Sequence, residues 1–235
     1  MRYHVYQAHD DFFAPLRTLA GILLTNANPF LHGFSNSRER HFRAGLEMLS
    51  RFRLSHTRPS FAIDSVTVSH REVAVREEIV LDLPFGKLLH FAKDVDVVQP
   101  RVLLVAPLSG HFSTLLRDTV RTMLADHDVF ITDWTNARDV PLAAGRFGVD
   151  DYIAYVIREQ MGPGSHIFAV CQPCVQTLAA VAIMSEDRNP ATPLSMTLMA
   201  GPIDPRESPT SVNELAMGKS LAWFKHNLIA QVPHR

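Results

Sequence analysis

The sequence has few cysteines, no long apolar run and no excess of charge of either sign. Its 235 residues include two cysteines, Cys171 and Cys174, which excludes a secreted scaffold held by disulfides and favours a reducing compartment, the cytoplasm. No stretch approaches the roughly 20 apolar residues of a membrane span, and the N-terminus lacks the basic start of a signal peptide. A formal net charge of −1 argues against a nucleic-acid-binding protein.

What the chain does have is enough apolar sequence, 46%, for one substantial domain with a small appendage. Residues 1–58 predict an N-terminal helical extension. Its first helix begins near Pro15, since proline suits a first helical turn, and a second helix covers Arg40–Arg53. Apolar residues share one face of the first helix: Phe12, Leu16, Leu19, Ala20 and Leu23. That face either packs on the main domain or contacts an apolar polymer or lipid surface.

Residues 59–235 predict a partial α/β domain. Apolar residues alternate with polar ones between Phe61 and Phe91, which indicates strands of a meander. Helices and strands then alternate, a pattern typical of a mostly parallel sheet covered by helices. The predicted parallel strands are Val102–Ala106, Val129–Thr132, His166–Val170 and Leu194–Ala200. Asn213–Ile229 predicts one further helix, the start of a cap.

Cys171 follows the strand that ends at Val170 and precedes a helix of small residues. The run Ala169-Val170-Cys171-Gln172-Pro173 parallels the G-x-S-x-G nucleophile elbow, with cysteine for serine and with Ala and Pro for the glycines. The helix N-terminus favours a thiolate, and the N–H of Gln172 is a candidate oxyanion donor. The alternative is that Cys171 is a buried structural cysteine.

A second candidate for the oxyanion site lies upstream. Residues 107–111 follow the Val102–Ala106 strand, where hydrolases of this kind place a loop that donates another N–H. Leu108 or Ser109 could supply that N–H. The alternative is that Gly110 only makes a turn.

Cys171 and Cys174 also form a C-x-x-C at a strand–helix junction, which resembles a thioredoxin-type redox motif. A zinc site would need about four ligands, and no second C-x-x-C or paired Cys/His cluster accompanies this one. The simplest interpretation of Cys174 is a small core residue one turn into the helix.

Several separated motifs occur together in one order, and through them the chain resembles the intracellular polyhydroxybutyrate depolymerases of the α/β-hydrolase superfamily. The matching stretches are P-L-S-G-H at 107–111, T-L-L-R-D-T-V-R-T at 114–122, T-D-W at 132–134, A-R at 137–138, V-P at 140–141, V-C-Q-P at 170–173, G-P-I-D at 201–204, S-P-T at 208–210 and V-N at 212–213.

The resemblance implies an incomplete α/β-hydrolase that cleaves ester bonds of stored polyester in cytoplasmic granules, with Cys171 as nucleophile and without metal or cofactor. Expected partners are the polymer or granule surface, and a C-terminal half or a second copy of the chain. The family's Asp and His lie well downstream of the nucleophile, and family members are substantially longer than this chain. A C-terminally truncated chain with impaired activity is therefore expected.

Candidates for the acid and the base do follow Cys171 within the chain, in the order nucleophile, acid, His. Asp204 is the candidate acid, and His226 and His234 are the candidate bases. Each has another interpretation, since Asp204 precedes Pro205 and suits a turn, His226 lies in a helical run and His234 near the end. Two other functions stay open: a non-catalytic granule-associated protein and a C-x-x-C thiol oxidoreductase.

Overall fold

The computed structural model describes residues 3–26, 36–53, 57–95, 97–108, 112–158 and 162–229. The chain divides into two compact units, residues 57–207 and residues 1–56 with 208–235. The predicted boundary at residue 58 stays a prediction. Among the described residues, no helix combines the length and the apolar character needed to cross a bilayer.

The described residues of the unit 57–207 form seven strands and three α-helices. The strands are β1 (Ser65–Val68), β2 (Arg71–Leu83), β3 (Gly86–Lys93), β4 (Arg101–Val105), β5 (Asp128–Trp134), β6 (Ser165–Val170) and β7 (Ser195–Met199). The helices are α3 (Arg117–Met123), α4 (Val149–Arg158) and α5 (Cys174–Glu186), and short 3-10 turns cover Ser113–Leu116 and Leu142–Ala144. The other unit contains α1 (Tyr3–Asn26), α2 (Asn36–Arg51), α6 (Ser211–Gly218) and α7 (Leu221–Asn227).

The strands form one sheet in the order β1-β2-β3-β5-β4-β6-β7. β5, β4, β6 and β7 are parallel, whereas β1, β2 and β3 pair antiparallel and β3 joins β5 antiparallel. The predicted α/β class is confirmed, with a sheet whose central strands are parallel and with helices at the N-terminal end of the chain. Within the described residues, β7 pairs only with β6.

Helices cover both faces of the parallel strands, which is why β4 is apolar and buried from Val102 to Val105. Val102 and Leu104 face a core completed by α3, whereas Leu103 and Val105 face a core completed by α4 and α5. Because side chains alternate along a strand, a strand buried on both faces carries no polar position. The carboxyl ends of the parallel strands therefore meet at one edge between two packed cores.

Two local predictions were wrong. Pro15 lies inside α1 and not in its first turn; the helix tolerates it, and Arg17 bridges that turn by donating to the Asp10 carbonyl oxygen at 2.6 Å and pairing with the Asp10 carboxylate at 2.8 Å. The single helix over Asn213–Ile229 is two helices. Ser220 interrupts it, because its hydroxyl accepts the Trp223 N–H at 3.2 Å and caps α7.

Candidate active site

Cys171 lies at the turn between β6 and α5, at the carboxyl edge of the parallel sheet, where open α/β sheets place their ligands. Its φ is +65°, in the left-handed region that residues other than glycine rarely adopt. Such a conformation is maintained only when its surroundings enforce it, and it recurs at active sites and in tight turns. Six other non-glycine residues among those described also have a positive φ. The sharp turn leaves the Cys171 residue exposed while Pro173 and Cys174, which follow it, are buried.

The elbow is held from β7 and from α5. The Cys171 N–H donates to the Met199 carbonyl oxygen at 2.8 Å, and the Cys174 N–H donates to the Cys171 carbonyl oxygen at 3.2 Å. Gly201 approaches so closely that a Cβ built on it would lie 2.2 Å from the Cys174 Cβ and 2.9 Å from the Cys171 oxygen. A glycine outside the A-x-C-x-P run thus provides the close approach that the elbow needs.

The two thiols differ in environment. Cys174 is fully buried, and its S–H lies 3.5 Å from the Ala169 carbonyl oxygen and 3.6 Å from that of Met199. Burial raises the pKa of the Cys174 thiol, so this group is poorly suited to act as a thiolate. Both cysteines are free, and Cys171 is the accessible one.

Of the candidate oxyanion donors, Gln172 and Leu108 lie side by side, and Ser109 lies outside the described residues. The Leu108 N–H donates to the side-chain oxygen Oε1 of Gln172 at 3.0 Å. Residue 108, which follows β4, therefore lies beside the turn that contains Cys171. The Leu108 N–H therefore already has an acceptor, the side-chain amide oxygen of Gln172.

Sequence reasoning missed how the segment after β4 is fixed. We call residues 106–108 the exit segment. The Ala106 N–H donates to Thr132 Oγ1 at 2.9 Å, and the Ala106 carbonyl oxygen accepts the Trp134 Nε1–H at 2.8 Å and the Tyr152 hydroxyl at 3.3 Å. The signal was present in the T-D-W motif, which served only to identify a resemblance.

The middle residue of that motif, Asp133, is a buried carboxylate. It accepts a hydrogen bond from the Ser113 hydroxyl, and its other oxygen lies 2.7 Å from the guanidinium of Arg58. Burial opposes the charge on Arg58, but Asp133 and Glu77 outweigh it, and the pKa of the guanidinium is raised. This ion pair anchors the residue that begins the 3-10 turn before α3.

The candidate acid and bases lie apart in the sequence. Asp204 follows β7, and both its oxygens accept from Arg206, at 2.8 Å from Nε and 2.7 Å from the terminal nitrogen. These hydrogen bonds lower the pKa of the Asp204 carboxyl. His226 is exposed in α7, in the other compact unit, and His234 lies outside the described residues. The roles of all three stay predictions.

Over the described part of the chain, no three His, Cys, Asp or Glu side chains are grouped so that they could hold a metal ion. The described site presents an exposed thiol at the turn that leads into α5.

Comparison with known proteins identifies one matching family. Residues 200–235 match the family model described as PHB de-polymerase C-terminus, PHB being polyhydroxybutyrate. The resemblance to polyhydroxybutyrate depolymerases predicted from the motifs is confirmed by this match. No curated protein matches the chain.

Several solved structures are similar to the chain. A predicted CIB-like hydrolase from Thermoplasma acidophilum is 13% identical over 55% of this chain and 64% of its own, with a TM-score of 0.35. The Francisella virulence factor BioJ is 13% identical over 80% and 58%, with a TM-score of 0.39. The HSL-homolog EstE7 from a metagenome library is 21% identical over 90% and 63%, with a TM-score of 0.39. The chain spans about three fifths of the length of these structures.

Proposed function

We propose that this chain carries the nucleophile of a carboxylic ester hydrolase that acts on intracellular polyhydroxybutyrate. The observation that carries the proposal is the positive φ of the exposed Cys171, directly between β6 and α5. The match of residues 200–235 to the depolymerase family supports the choice of polyester as substrate.

In this proposal the Cys171 thiolate attacks the carbonyl carbon of a polyester unit. Negative charge develops on the carbonyl oxygen and is stabilised by backbone N–H groups, those of Gln172 and of the loop after β4. The C–O bond then breaks, the departing chain end takes a proton as an alcohol, and a thioester remains on Cys171. Water hydrolyses the thioester and restores the thiol.

A positioned acid–base group is needed twice, to give a proton to the departing alcohol and to take one from the attacking water. Acylation by an activated ester does not need the first of these transfers, because p-nitrophenolate leaves without a proton. We therefore propose that the chain alone acylates once and turns over slowly. Loss of triad partners in other hydrolases still leaves roughly 10³-fold catalysis over water. Single-turnover acylation by p-nitrophenyl butyrate is the expected residual activity.

The test combines acyl-enzyme trapping with polymer turnover. Mass spectrometry after p-nitrophenyl butyrate should place a butyryl group on Cys171, and Cys171→Ala should abolish it while Cys174→Ala, the matched control, should retain it. Release of 3-hydroxybutyrate from native granules is then measured for the chain alone and with a C-terminal fragment of a depolymerase added. Multiple turnover by the chain alone would show that no added half is needed and would favour Asp204 with His226 or His234.

A non-catalytic granule-binding role is the second candidate, and one observation favours it. Four residues at helical spacing on α1 are exposed: Phe12 at 74%, Leu16 at 47%, Leu19 at 52% and Leu23 at 42%. We call them the α1 apolar stripe. Their exposure favours contact with an apolar polymer surface over packing in a core, although Ala20, predicted on the same face, is buried.

Co-sedimentation with amorphous polyhydroxybutyrate granules tests this role. Leu16→Glu with Leu19→Glu should lower binding roughly tenfold or more, because burial of each leucine stabilises a bound state by about 1.5–3 kcal/mol at most. Thr18→Glu with Thr25→Glu adds the same charge on the opposite side of α1 and should leave binding unchanged. An equal loss of granule binding in the two double variants would show that the added charge weakens binding and that the α1 apolar stripe has no role.

Reduction of insulin disulfides separates the remaining alternative. Insulin reduction that is lost in both Cys171→Ala and Cys174→Ala would identify a C-x-x-C oxidoreductase in place of an esterase.

A further inference from the structure

The exit segment leaves the sheet at a defined point. Pairing of β4 with β5 ends at Leu104 and Ile131, and pairing of β4 with β6 ends at Val105 and Ala169. Ala106 is the first residue beyond both ladders and is fully buried. Because buried backbone N–H and C=O groups need partners, side chains must satisfy this residue where strands no longer do.

Thr132 and Trp134 satisfy it from the end of β5. Thr132 Oγ1 accepts the Ala106 N–H at 2.9 Å, and Trp134 Nε1–H donates to the Ala106 carbonyl oxygen at 2.8 Å. Both backbone polar groups of one residue, Ala106, are thus bonded to side chains of a single motif. A hydrogen bond constrains both the distance and the direction between its two partners. These two bonds therefore fix the position of Ala106.

The Trp134 ring is itself fixed. It lies edge-on to Tyr152, with ring centroids 4.5 Å apart, and within 6.1 Å of the ring centroids of Phe147 and Tyr155. On the strand beside it, a Cβ added to Gly86 would come within 2.9 Å of the indole ring. The indole therefore has little freedom to move away from Ala106.

The middle residue of the motif holds the far end of the same loop. Asp133 binds the Ser113 hydroxyl and is anchored by Arg58. The near end faces the elbow, as the 3.0 Å bond from the Leu108 N–H to Gln172 Oε1 shows. The three consecutive residues of T-D-W thus form hydrogen bonds with Ala106 and Ser113, which lie before and after the loop that follows β4.

We propose that Thr132, Asp133 and Trp134 are positioning residues that hold the exit segment against the Cys171 elbow, so that the Leu108 N–H meets the carbonyl oxygen of the ester in place of Gln172 Oε1. The inference rests on the esterase function proposed above. The three residues act indirectly, through the backbone of Ala106 and the hydroxyl of Ser113.

The experiment compares two reactions of the same thiol in the full chain. Acylation of Cys171 by p-nitrophenyl butyrate develops an oxyanion, and a stopped-flow burst of p-nitrophenolate gives its rate constant. Alkylation by iodoacetamide displaces iodide from a saturated carbon and develops no oxyanion. The ratio of the two rate constants therefore reports the oxyanion site and is insensitive to a general change in thiol reactivity.

Thr132→Val should lower this ratio roughly fivefold, the rate equivalent of one neutral hydrogen bond. Thr132→Ser keeps the hydroxyl and should leave the ratio near that of the unchanged chain. Trp134→Phe removes the Nε1–H and should lower the ratio as Thr132→Val does. The matched control is Thr177→Val. Thr177 is equally buried in α5, and its hydroxyl has no hydrogen-bond partner among the described residues, so the ratio should stay within about twofold of the unchanged chain.

Unchanged ratios in both Thr132→Val and Trp134→Phe, with Cys171 still acylated, would overturn the positioning role and leave the esterase proposal standing. An equal fall of the ratio in Thr177→Val would also overturn the positioning role, since loss of any buried hydroxyl would then have the same effect. Absence of Cys171-dependent acylation in the unchanged chain would overturn the esterase function, and the inference with it.

Discussion

Replacement of Gly201 by alanine tests the packing of the elbow. The new Cβ would lie 2.2 Å from the Cys174 Cβ, 2.4 Å from its sulfur and 2.9 Å from the Cys171 carbonyl oxygen. Carbon atoms in contact prefer about 3.5–4.0 Å, so α5 or the chain after β7 must move by more than an ångström. Overpacking usually destabilises by about 1–3 kcal/mol. The upper end applies because the obstructing atoms are a Cβ and a backbone oxygen.

Thermal unfolding followed by circular dichroism measures the effect. For a chain of this size about 3 kcal/mol corresponds to a fall of about 6–12 °C in the midpoint. Gly148→Ala is the matched control, since the nearest atom to its added Cβ, an Asp151 carboxylate oxygen, is 3.7 Å away. Its midpoint should change little.

A double variant isolates the contact. Cys174→Gly removes the two atoms nearest to the added methyl group, and glycine in a helix destabilises by about 1 kcal/mol. In combination with Gly201→Ala it should nonetheless recover part of the loss, with a coupling of about 1 kcal/mol or more. Equal midpoints for Gly201→Ala and Gly148→Ala, or purely additive effects in the double variant, would refute this account of the close approach.

Three further outcomes are expected at the elbow. Iodoacetamide followed by peptide mapping should modify Cys171 before Cys174, because Cys174 is buried and burial raises the pKa of its thiol; faster modification of Cys174 would contradict the nucleophile assignment. Cys171→Gly should be at least as stable as Cys171→Ala, by up to about 1 kcal/mol in urea unfolding, because glycine adopts a φ of +65° without strain. Gln172→Met should raise the acylation rate severalfold, since it frees the Leu108 N–H from a competing acceptor; a slower reaction would show that the side chain is needed in place.

The strand–cysteine–helix turn was predictable because its signals are local. An apolar run, a small residue at 169, a cysteine and a proline follow one another within a few residues, and periodicity marks the flanking strand and helix. The structure places Cys171 directly after β6 and Pro173 directly before α5. The missed break at Ser220 was also a local signal, a capping residue, and stronger weight on caps would have found it.

The partners of the elbow were not predictable, because they are distant in sequence. Leu108 and Gln172 are 64 residues apart, and Ala106 is 26 and 28 residues from Thr132 and Trp134. A hydrogen bond between such residues depends on strand order, and β5 lies between β3 and β4 in the sheet although it follows both in sequence. No periodicity along the chain encodes that order.

The sequence by itself therefore determined the class of fold, the strand–cysteine–helix turn and the resemblance to polyester depolymerases, since each depends on residues that are neighbours in the chain. Tertiary structure alone decided that Cys171 is exposed and Cys174 buried, that Gly201 makes room for the elbow, and that T-D-W grips the exit segment. The physical reason is that burial and hydrogen-bond partners are properties of packed neighbours, and packing brings together residues that the chain keeps apart.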